Sequence, residues 1–424
     1  MRIAVALAAL AGLSGCALFA PLDEAERADI RAVAPAAARF APAVEFKVPS
    51  GKAERAASGG AAAIAGAAAL CLTISGPLAP SCVALLAPIP AAASAAFGAA
   101  ATPSNEGIEA MMQRARGHLG APDVQRLLVQ RFSERVTRVT SHRIVPDALE
   151  LGPQSYADRP SYSGAADGKG ALVAEVVVER VAATLAEPFE LFGADYATRP
   201  LRIGVDGRMR LVRPSDGATL MIKYYSVARY AGRIQEYDRD PAKLLLAVAG
   251  AVEEVAMLMI DDAFLLRSDV ATSTARAPMV APLEPLPSRT CLSGASYDCW
   301  VFNRVPRLDT ASPRFRWAPF PQPGHLEAAP WLRSARNLVY DLWIFGADDD
   351  RIIEGLTSTD HRLERPLTNC RRYSWAVRAR FDTDAGPRTV EWSSATGVPR
   401  TQMQTGAERP TFGAPFITPC RGPV

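Results

Sequence analysis

The feature that most constrains the fold is a run of fifty consecutive uncharged residues, 56–105. It lies between Arg55 and Glu106 and consists mainly of alanine, glycine, leucine, isoleucine, valine, proline and serine. A stretch of this composition carries no charge for water to solvate, which favours packing against a membrane, a partner or the rest of the chain. It also separates a short N-terminal part of the chain from a long C-terminal part.

Three interpretations of this segment, taken as 56–104, remain open. Its halves, 58–76 and 81–101, are close to bilayer-spanning length, and small residues four apart allow close approach of helices. Alanine contributes little transfer free energy and the prolines interrupt helices, which favours packing within the protein or its oligomer. A mobile low-complexity segment is the third interpretation.

The first sixteen residues resemble a bacterial lipoprotein signal peptide. Residues 1–2 are a basic start, residues 3–12 are an apolar core too short to span a bilayer, and residues 13–16, Leu-Ser-Gly-Cys, have the form of a lipobox. The resemblance implies that 1–15 is removed and that Cys16 carries a lipid, which anchors the protein without a spanning helix. An ordinary secretory signal with an incidental cysteine is the alternative.

Residues 16–55 are predicted to be a polar, lipidated tether that lets the folded body stand off the membrane. Alanine follows Cys16, whereas aspartate there resembles a signal for inner-membrane retention, so an outer-membrane protein facing the periplasm is predicted. The predicted partners are the membrane, through the lipid, and envelope proteins or further copies of this chain. The formal net charge of +3 gives no reason to expect a nucleic acid.

The cysteines predict disulfide bonds. Six remain after Cys16, an even number that an exported protein can pair in an oxidising compartment. Proximity along the chain favours Cys71 with Cys82 and Cys291 with Cys299, which leaves Cys370 with Cys420. Other connectivities stay open. No Cys-x-x-Cys pair occurs, which argues against a zinc ribbon or a thioredoxin-like site.

Residues 105–267 have the pattern of an α+β domain, with helices, an antiparallel three-stranded meander and a further helix. The strands are predicted at 171–185, 201–211 and 219–230, with an Asp-Gly turn before the third. An apolar helix follows from Pro241 to about Leu266. This order loosely resembles α+β domains of outer-membrane assembly and transport-accessory lipoproteins, an analogy at the level of fold alone.

Residues 268–284 are proline-rich and are predicted to form a semi-rigid linker. The following segment, 285–424, resembles a fibronectin type III domain with a C-terminal tail. The segments that carry the resemblance are 313–317, 338–344, 351–356, 373–379 and 389–393. The resemblance implies an all-β sandwich with Trp317 in its core and a hydroxyl of Tyr373 that bonds to the backbone just upstream. Domains of this family bind partners or act as spacers, and the family implies no chemistry.

Three clusters of charge are interpreted as solvated surface, each with a functional alternative. Arg202, Arg208 and Arg210 form a basic strand face, which could otherwise bind acidic headgroups or polysaccharide. Four carboxylates on the apolar helix could otherwise perform acid–base chemistry; they are Glu253, Glu254, Asp261 and Asp262. The run of Asp348, Asp349 and Asp350 fits a hairpin turn better than a calcium site, which needs alternating ligands.

No motif of a serine hydrolase, zinc protease, phosphate-binding loop or dinucleotide-binding fold occurs in the chain. We therefore predict a multidomain, non-enzymatic outer-membrane lipoprotein with no cofactor, metal or catalytic residue. Its predicted role is an interaction or assembly component of the cell envelope. The alternative is an oligomeric subunit or accessory of an envelope transport or secretion complex that uses 58–101 for membrane insertion or ring packing.

Overall fold

A computed structural model describes ten stretches of the chain. They are 22–47, 123–145, 149–163, 170–185, 200–233, 241–267, 278–286, 305–346, 350–393 and 413–420. The predicted signal peptide with Cys16 and the charge-free segment 56–104 lie outside these residues. The described part is multidomain, with mixed α/β content and several β-sheets.

The helices are α1 Glu24–Asp29, α2 Asp123–Val139, α3 Pro241–Ile260 and α4 Pro323–Ala328. A π-helical turn, Asp261–Leu265, continues α3, and short 3-10 turns occupy Leu149–Leu151 and Pro330–Ser334. The first strands are β1 Ala32–Ala37, β2 Ala43–Lys47, β3 Arg143–Ile144, β4 Ala171–Leu185, β5 Pro200–Arg213 and β6 Ala218–Arg233. The remaining strands are β7 Pro282–Glu284, β8 Arg314–Trp317, β9 Arg336–Gly346, β10 Asp350–Leu356, β11 Asp360–Arg362, β12 Arg372–Thr383, β13 Gly386–Thr389 and β14 Ala414–Ile417.

The N-terminal domain contains a six-stranded sheet in the order β3-β1-β4-β5-β6, with β2 also paired to β4. Strands β4, β5 and β6 form the antiparallel meander that the alternating pattern predicts, and β1 and β2 run parallel to β4. The apolar positions of β5 point into the core; they are Ile203, Val205, Met209 and Leu211, all fully buried. At the β5–β6 turn Gly217 adopts a φ of 71°, a conformation that favours glycine.

Helices α2 and α3 cover one face of this sheet. The apolar positions of α2 recur at helix spacing and form a buried stripe: Val124, Leu128, Phe132 and Val136. The same hydrophobic core includes the inward side chains of β4 and β5 and residues of α3. The helices therefore lie on one side of the sheet, as in an α+β domain.

Residues 22–47, predicted to belong to a polar tether, are instead part of the N-terminal domain. Leu22 is 1% exposed and Val33 is fully buried in the core that α2 and α3 share. Strand β1 pairs with β4 from Ala32 to Ala37, and β2 continues along the same strand. The tether prediction is wrong for these residues because alanine gives a weak pattern and a parallel partner far along the chain leaves no hairpin signal.

The C-terminal domain contains two sheets whose side chains share one hydrophobic core. One has the order β11-β8-β7, and the other has the order β10-β9-β12-β13 with β14 also paired to β12. Their shared core includes Trp317 from the first sheet and Leu342, Trp375 and Val377 from the second. The backbone N–H of Thr368 donates a hydrogen bond of 3.2 Å to the hydroxyl of Tyr373, a contact of the kind that the sequence predicted.

Both ends of the C-terminal domain extend beyond the resembling strands. Strand β7 lies inside the predicted linker 268–284, yet it pairs with β8, so the domain begins before 285. At the other end a disulfide joins Cys370 to Cys420, which ties the tail to the start of β12. The other four predicted disulfide cysteines lie outside the described residues. None of the helices in the described ranges is long and apolar enough to span a bilayer.

Candidate functional site

The two domains meet where α3 packs against the outer face of the five-stranded sheet. Met257 of α3 lies in one buried cluster with Trp343 and Phe345 of β9, Ala376 of β12 and Trp392. The neighbouring side chains of α3 face the core of the N-terminal domain. The C-terminal half of α3 is therefore buried on both sides, with one sheet of each domain against it, whereas Leu245 and Leu246 near its start are exposed. We call this contact the domain interface.

Arg378 of β12 lies at the centre of the domain interface. It is 1% exposed, and its Nη1 donates to Oδ2 of Asp261 over 2.6 Å. Its Nε donates to Oδ2 of Asp341 over 3.1 Å, and the guanidinium carbon lies 4.5 Å from the ring centre of Trp392. Because Asp261 belongs to the N-terminal domain and Asp341 to β9, this arginine bridges the domains. Burial lowers the pKa of Arg378, but the two carboxylates outweigh it and raise the pKa above its usual value.

Asp341 contacts both Arg378 and a second arginine of the same strand, Arg380. Besides the hydrogen bond from Arg378, its carboxylate accepts two from Arg380, over 2.7 and 2.9 Å, and one from the backbone N–H of Gly355. Burial favours the neutral acid, but Arg378 and the hydrogen bonds of Arg380 outweigh it and hold the pKa of Asp341 below its usual value. Asp341 is therefore a buried anion whose oxygens are both hydrogen-bonded.

Further ion pairs cross the interface around this centre. Arg135 and Arg138 of α2 contact the two oxygens of Glu354 in β10, over 2.8 and 3.1 Å. Arg135 is 1% exposed, so this contact is also part of the buried interface. The interface thus extends from α3 onto α2.

Strand β6 makes its own contact with the C-terminal domain. Arg229 donates through Nε to Asp350 over 2.7 Å, and the same carboxylate accepts a 2.6 Å hydrogen bond from the indole of Trp343. Gly250 of α3 makes room for this arginine, because a Cβ there would lie 1.6 Å from Nη1 of Arg229. Asp350 therefore serves the interface, while Asp348 and Asp349 of the same run lie outside the described residues.

The predicted solvated carboxylate face of α3 is wrong for three of its four residues. Glu254, Asp261 and Asp262 are 2%, 4% and 8% exposed, and only Glu253 is partly solvated, with Arg131 3.2 Å away. Asp262 contacts Lys223 of β6 over 2.6 Å, and burial raises its pKa. Asp261 is covered by Arg378 of the C-terminal domain and Asp262 by β6 of its own domain, and the helical pattern reveals neither contact.

The predicted basic face of β5 is also corrected. Arg208 is fully buried and Arg210 is 6% exposed, whereas Arg202 is partly exposed. The segment 149–163 crosses this face, where Tyr162 packs in a small cluster with β1, β4 and β5. Periodicity identifies the face to which a side chain points, and it does not identify what covers that face.

The buried arginines of β5 surround Glu175 of β4, which is fully buried. Arg210 donates to its Oε2 over 2.6 Å, and the Tyr162 hydroxyl donates to the same oxygen over 2.9 Å. Arg208 Nη2 lies 3.2 Å from the other oxygen, an ion pair that lacks hydrogen-bond alignment, and its Nε donates to Glu179 over 2.9 Å. This second cluster joins segment 149–163 to the sheet.

The pH dependence of stability tests the charge on Asp341. Because its folded pKa is lowered, its contribution to stability is complete above its unfolded pKa of about 3.9 and is lost as the pH falls below that value. We expect D341N to be less stable than wild type at pH 7, and the difference to narrow below about pH 4. Urea denaturation of both proteins, at pH 7 and below pH 4, measures the difference in their free energies of unfolding. A difference that stays constant with pH would contradict an ionic role for Asp341.

The arrangement defines a class of protein in which two domains of mixed α/β content share an interface of paired buried charges. Among the described residues, no three histidine, cysteine, aspartate or glutamate side chains group as metal ligands do. The arginines and carboxylates at the centre of each cluster are in contact with one another, so their evident role is to hold backbone segments together.

Comparison with known proteins adds little to this class. No family model matches the chain, and no curated protein matches it. Two solved chains match, and one is the crystal structure of protein XCC0632 from Xanthomonas campestris, described with the family model DUF330. It is 16% identical, and the match covers 34% of this chain and 60% of that chain with a TM-score of 0.19. The chain thus spans about three fifths of that protein.

Proposed function

We propose that the protein is a non-enzymatic lipoprotein of the outer membrane, anchored through Cys16 and acting as an interaction or assembly component of the cell envelope. The observation that carries the proposal is the domain interface, in which Arg378 bridges Asp261 and Asp341. Domains joined by such a buried contact keep a fixed relative orientation, unlike domains on a flexible linker. A body of this kind presents partner surfaces at fixed positions, which suits an assembly component better than a spacer.

We also propose that the C-terminal domain is a fibronectin type III-like sandwich. The pairing of β10 with β9, of β9 with β12 and of β12 with β13 follows the order that the resemblance implies. The Thr368–Tyr373 hydrogen bond and the buried Trp317 support the same assignment. In this protein the outer face of the larger sheet contacts α3, so partners would bind elsewhere on the domain.

Loss of the lipid is the first test of the proposal. We expect the wild-type protein to incorporate labelled palmitate and to fractionate with the outer membrane, and C16S to lose both properties, because a thiol is needed at the lipobox. C71S is the matched control, since it removes a cysteine outside the lipobox and should keep the label. Palmitate incorporation by C16S would contradict the anchor.

The mass of the detergent-extracted protein tests whether copies of this chain associate with one another. Light scattering on detergent-extracted full-length protein should give a mass above that of one chain plus detergent. The same measurement on a chain that lacks 58–101 shows whether the charge-free segment contributes to the assembly. A monomer in both cases would contradict the alternative, an oligomeric subunit that uses 58–101 for membrane insertion or ring packing.

A further inference from the structure

The folded body begins very close to the predicted lipid site. Leu22 is 1% exposed in the core of the N-terminal domain. The buried Arg27 donates to the carbonyl oxygens of Leu22 and Asp262, over 3.1 and 3.2 Å. Asp23 caps α1 in a reciprocal pair of hydrogen bonds with Glu26. The chain is therefore held in place from residue 22 onward.

The length of chain between Cys16 and Leu22 limits how far the body can lie from the lipid. Six peptide steps of at most about 3.6 Å reach roughly 22 Å, far less than the predicted tether of 16–55 would allow. We propose that the end of the N-terminal domain that carries Leu22, the anchor end, lies against the lipid headgroups. This inference rests on the proposed lipidation of Cys16.

Three segments lie beside α1 or the start of β1 at the anchor end. The β5–β6 turn, 214–217, lies beside α1, since Arg213 Nη2 is 4.0 Å from Glu26. The β12–β13 hairpin also reaches α1, where Arg388 contacts Glu24. The third is the start of β3, which pairs with the start of β1. The anchor end is thus a surface formed by both domains.

The charge at the anchor end is mixed. Arg31 and Arg143 are exposed there, and each can interact with a lipid phosphate. Asp23 and Asp29 are exposed on α1 and offset this attraction. The lipid on Cys16, rather than headgroup charge, therefore supplies the binding, and the short connection supplies the orientation.

The opposite end of the sheet lies far from Leu22. Strand β4 runs from Ala171, paired with Ala32, to Thr184, paired with Lys47. These thirteen steps span about 43 Å at 3.3 Å per residue. With the anchor end against the bilayer, the chain that follows Lys47 leaves the domain on the side away from that bilayer. The proposal thus predicts which end of the domain is open to envelope partners.

Photocross-linking to lipid tests the orientation in the full, lipidated chain in its own membrane. A photoreactive phenylalanine derivative replaces Ser215, an exposed residue of the anchor end, or Ala43, an exposed residue of β2. Ala43 pairs with Arg180, about 30 Å along β4 from Ala171. We expect several-fold more lipid adduct at Ser215 than at Ala43. Equal adducts at the two positions would mean that the sheet lies flat on the membrane and would overturn the proposal.

A spacer variant shows whether the short connection sets the orientation. Insertion of about 40 glycine and serine residues between Phe19 and Ala20 adds a flexible span of roughly 35 Å. We expect the adduct at Ser215 to fall to the level at Ala43 while palmitate labelling persists. An unchanged adduct at Ser215 would overturn the proposal. Absence of palmitate from the wild-type protein would instead refute the lipid anchor, so the two failures are distinguishable.

Discussion

Replacement of Arg378 by alanine is expected to lower the free energy of unfolding by about 3–5 kcal/mol, the usual cost of removing one partner from a buried ion pair. The variant leaves Asp261 without its 2.6 Å hydrogen bond and takes one of two arginines from Asp341. Arg380 still pairs with Asp341, so the larger part of the loss falls on Asp261. The damage is thus concentrated at the contact between the domains.

Urea denaturation of the purified full chain, followed by tryptophan fluorescence, measures this loss. Trp392 reports on the site directly, because the Arg378 guanidinium lies over its ring. We also expect the wild type to unfold in one transition and the variant in two, since the domains lose the ion pair that joins them. A loss below about 1 kcal/mol would contradict a structural role for the pair.

A second variant of Arg378 separates charge from packing, and a variant of Arg336 is its control. Arg378→Met keeps an apolar stem over Trp392 and still leaves Asp261 without its arginine, so we expect it to lose nearly as much stability as alanine. Arg336→Ala is the matched control in the same sheet, because Arg336 and Asp384 form an exposed pair over 2.9 Å with 59% and 80% of their side chains accessible. Such pairs contribute about 0–1 kcal/mol. A methionine variant as stable as wild type would assign the effect to packing.

Local patterns predicted the elements that alternate or repeat clearly. Strands β4, β5 and β6 and the stripe of α2 follow from periodicity, because each has one face in the core and strong apolar side chains. Residues 22–47 gave no such signal, since the side chains that β1 buries are mostly alanine and its partner β4 lies more than a hundred residues away. Parallel pairing over that distance has no turn chemistry that a sequence could display.

The candidate site was predicted only in part, because its contacts join residues far apart in the chain. Asp261 and Arg378 are separated by 117 positions, and each alone has the pattern of a charge on a solvated face. The unusual number of carboxylates on a very apolar helix was the available signal. It identified the residues, but it did not reveal that Arg378 of the C-terminal domain pairs with Asp261 or that Lys223 of β6 pairs with Asp262.

Glu175→Ala is the second prediction with a large expected effect. Glu175 is fully buried between Arg208 and Arg210, so its removal leaves two buried guanidinium groups facing each other without their shared anion. We expect a loss of about 3 kcal/mol or more in the free energy of unfolding. Arg208 keeps Glu179, and Arg210 keeps the carbonyl of Pro160, which limits the loss.

The same variant tests whether segment 149–163 depends on this cluster. The hydroxyl of Tyr162 loses its acceptor, so hydrogen exchange of amides in 149–163 should become faster than in wild type. Glu175→Gln keeps an oxygen for Tyr162 and removes only the charge, so it should fall between alanine and wild type. Glu45→Ala is the control on the same sheet, since Glu45 and Arg180 form a partly exposed pair and Arg180 retains Asp206. Suppose that Glu175→Ala lowered the free energy of unfolding no more than Glu45→Ala does. The arginines of β5 would then have to be solvated, and the basic face of β5 would again be open to an acidic ligand.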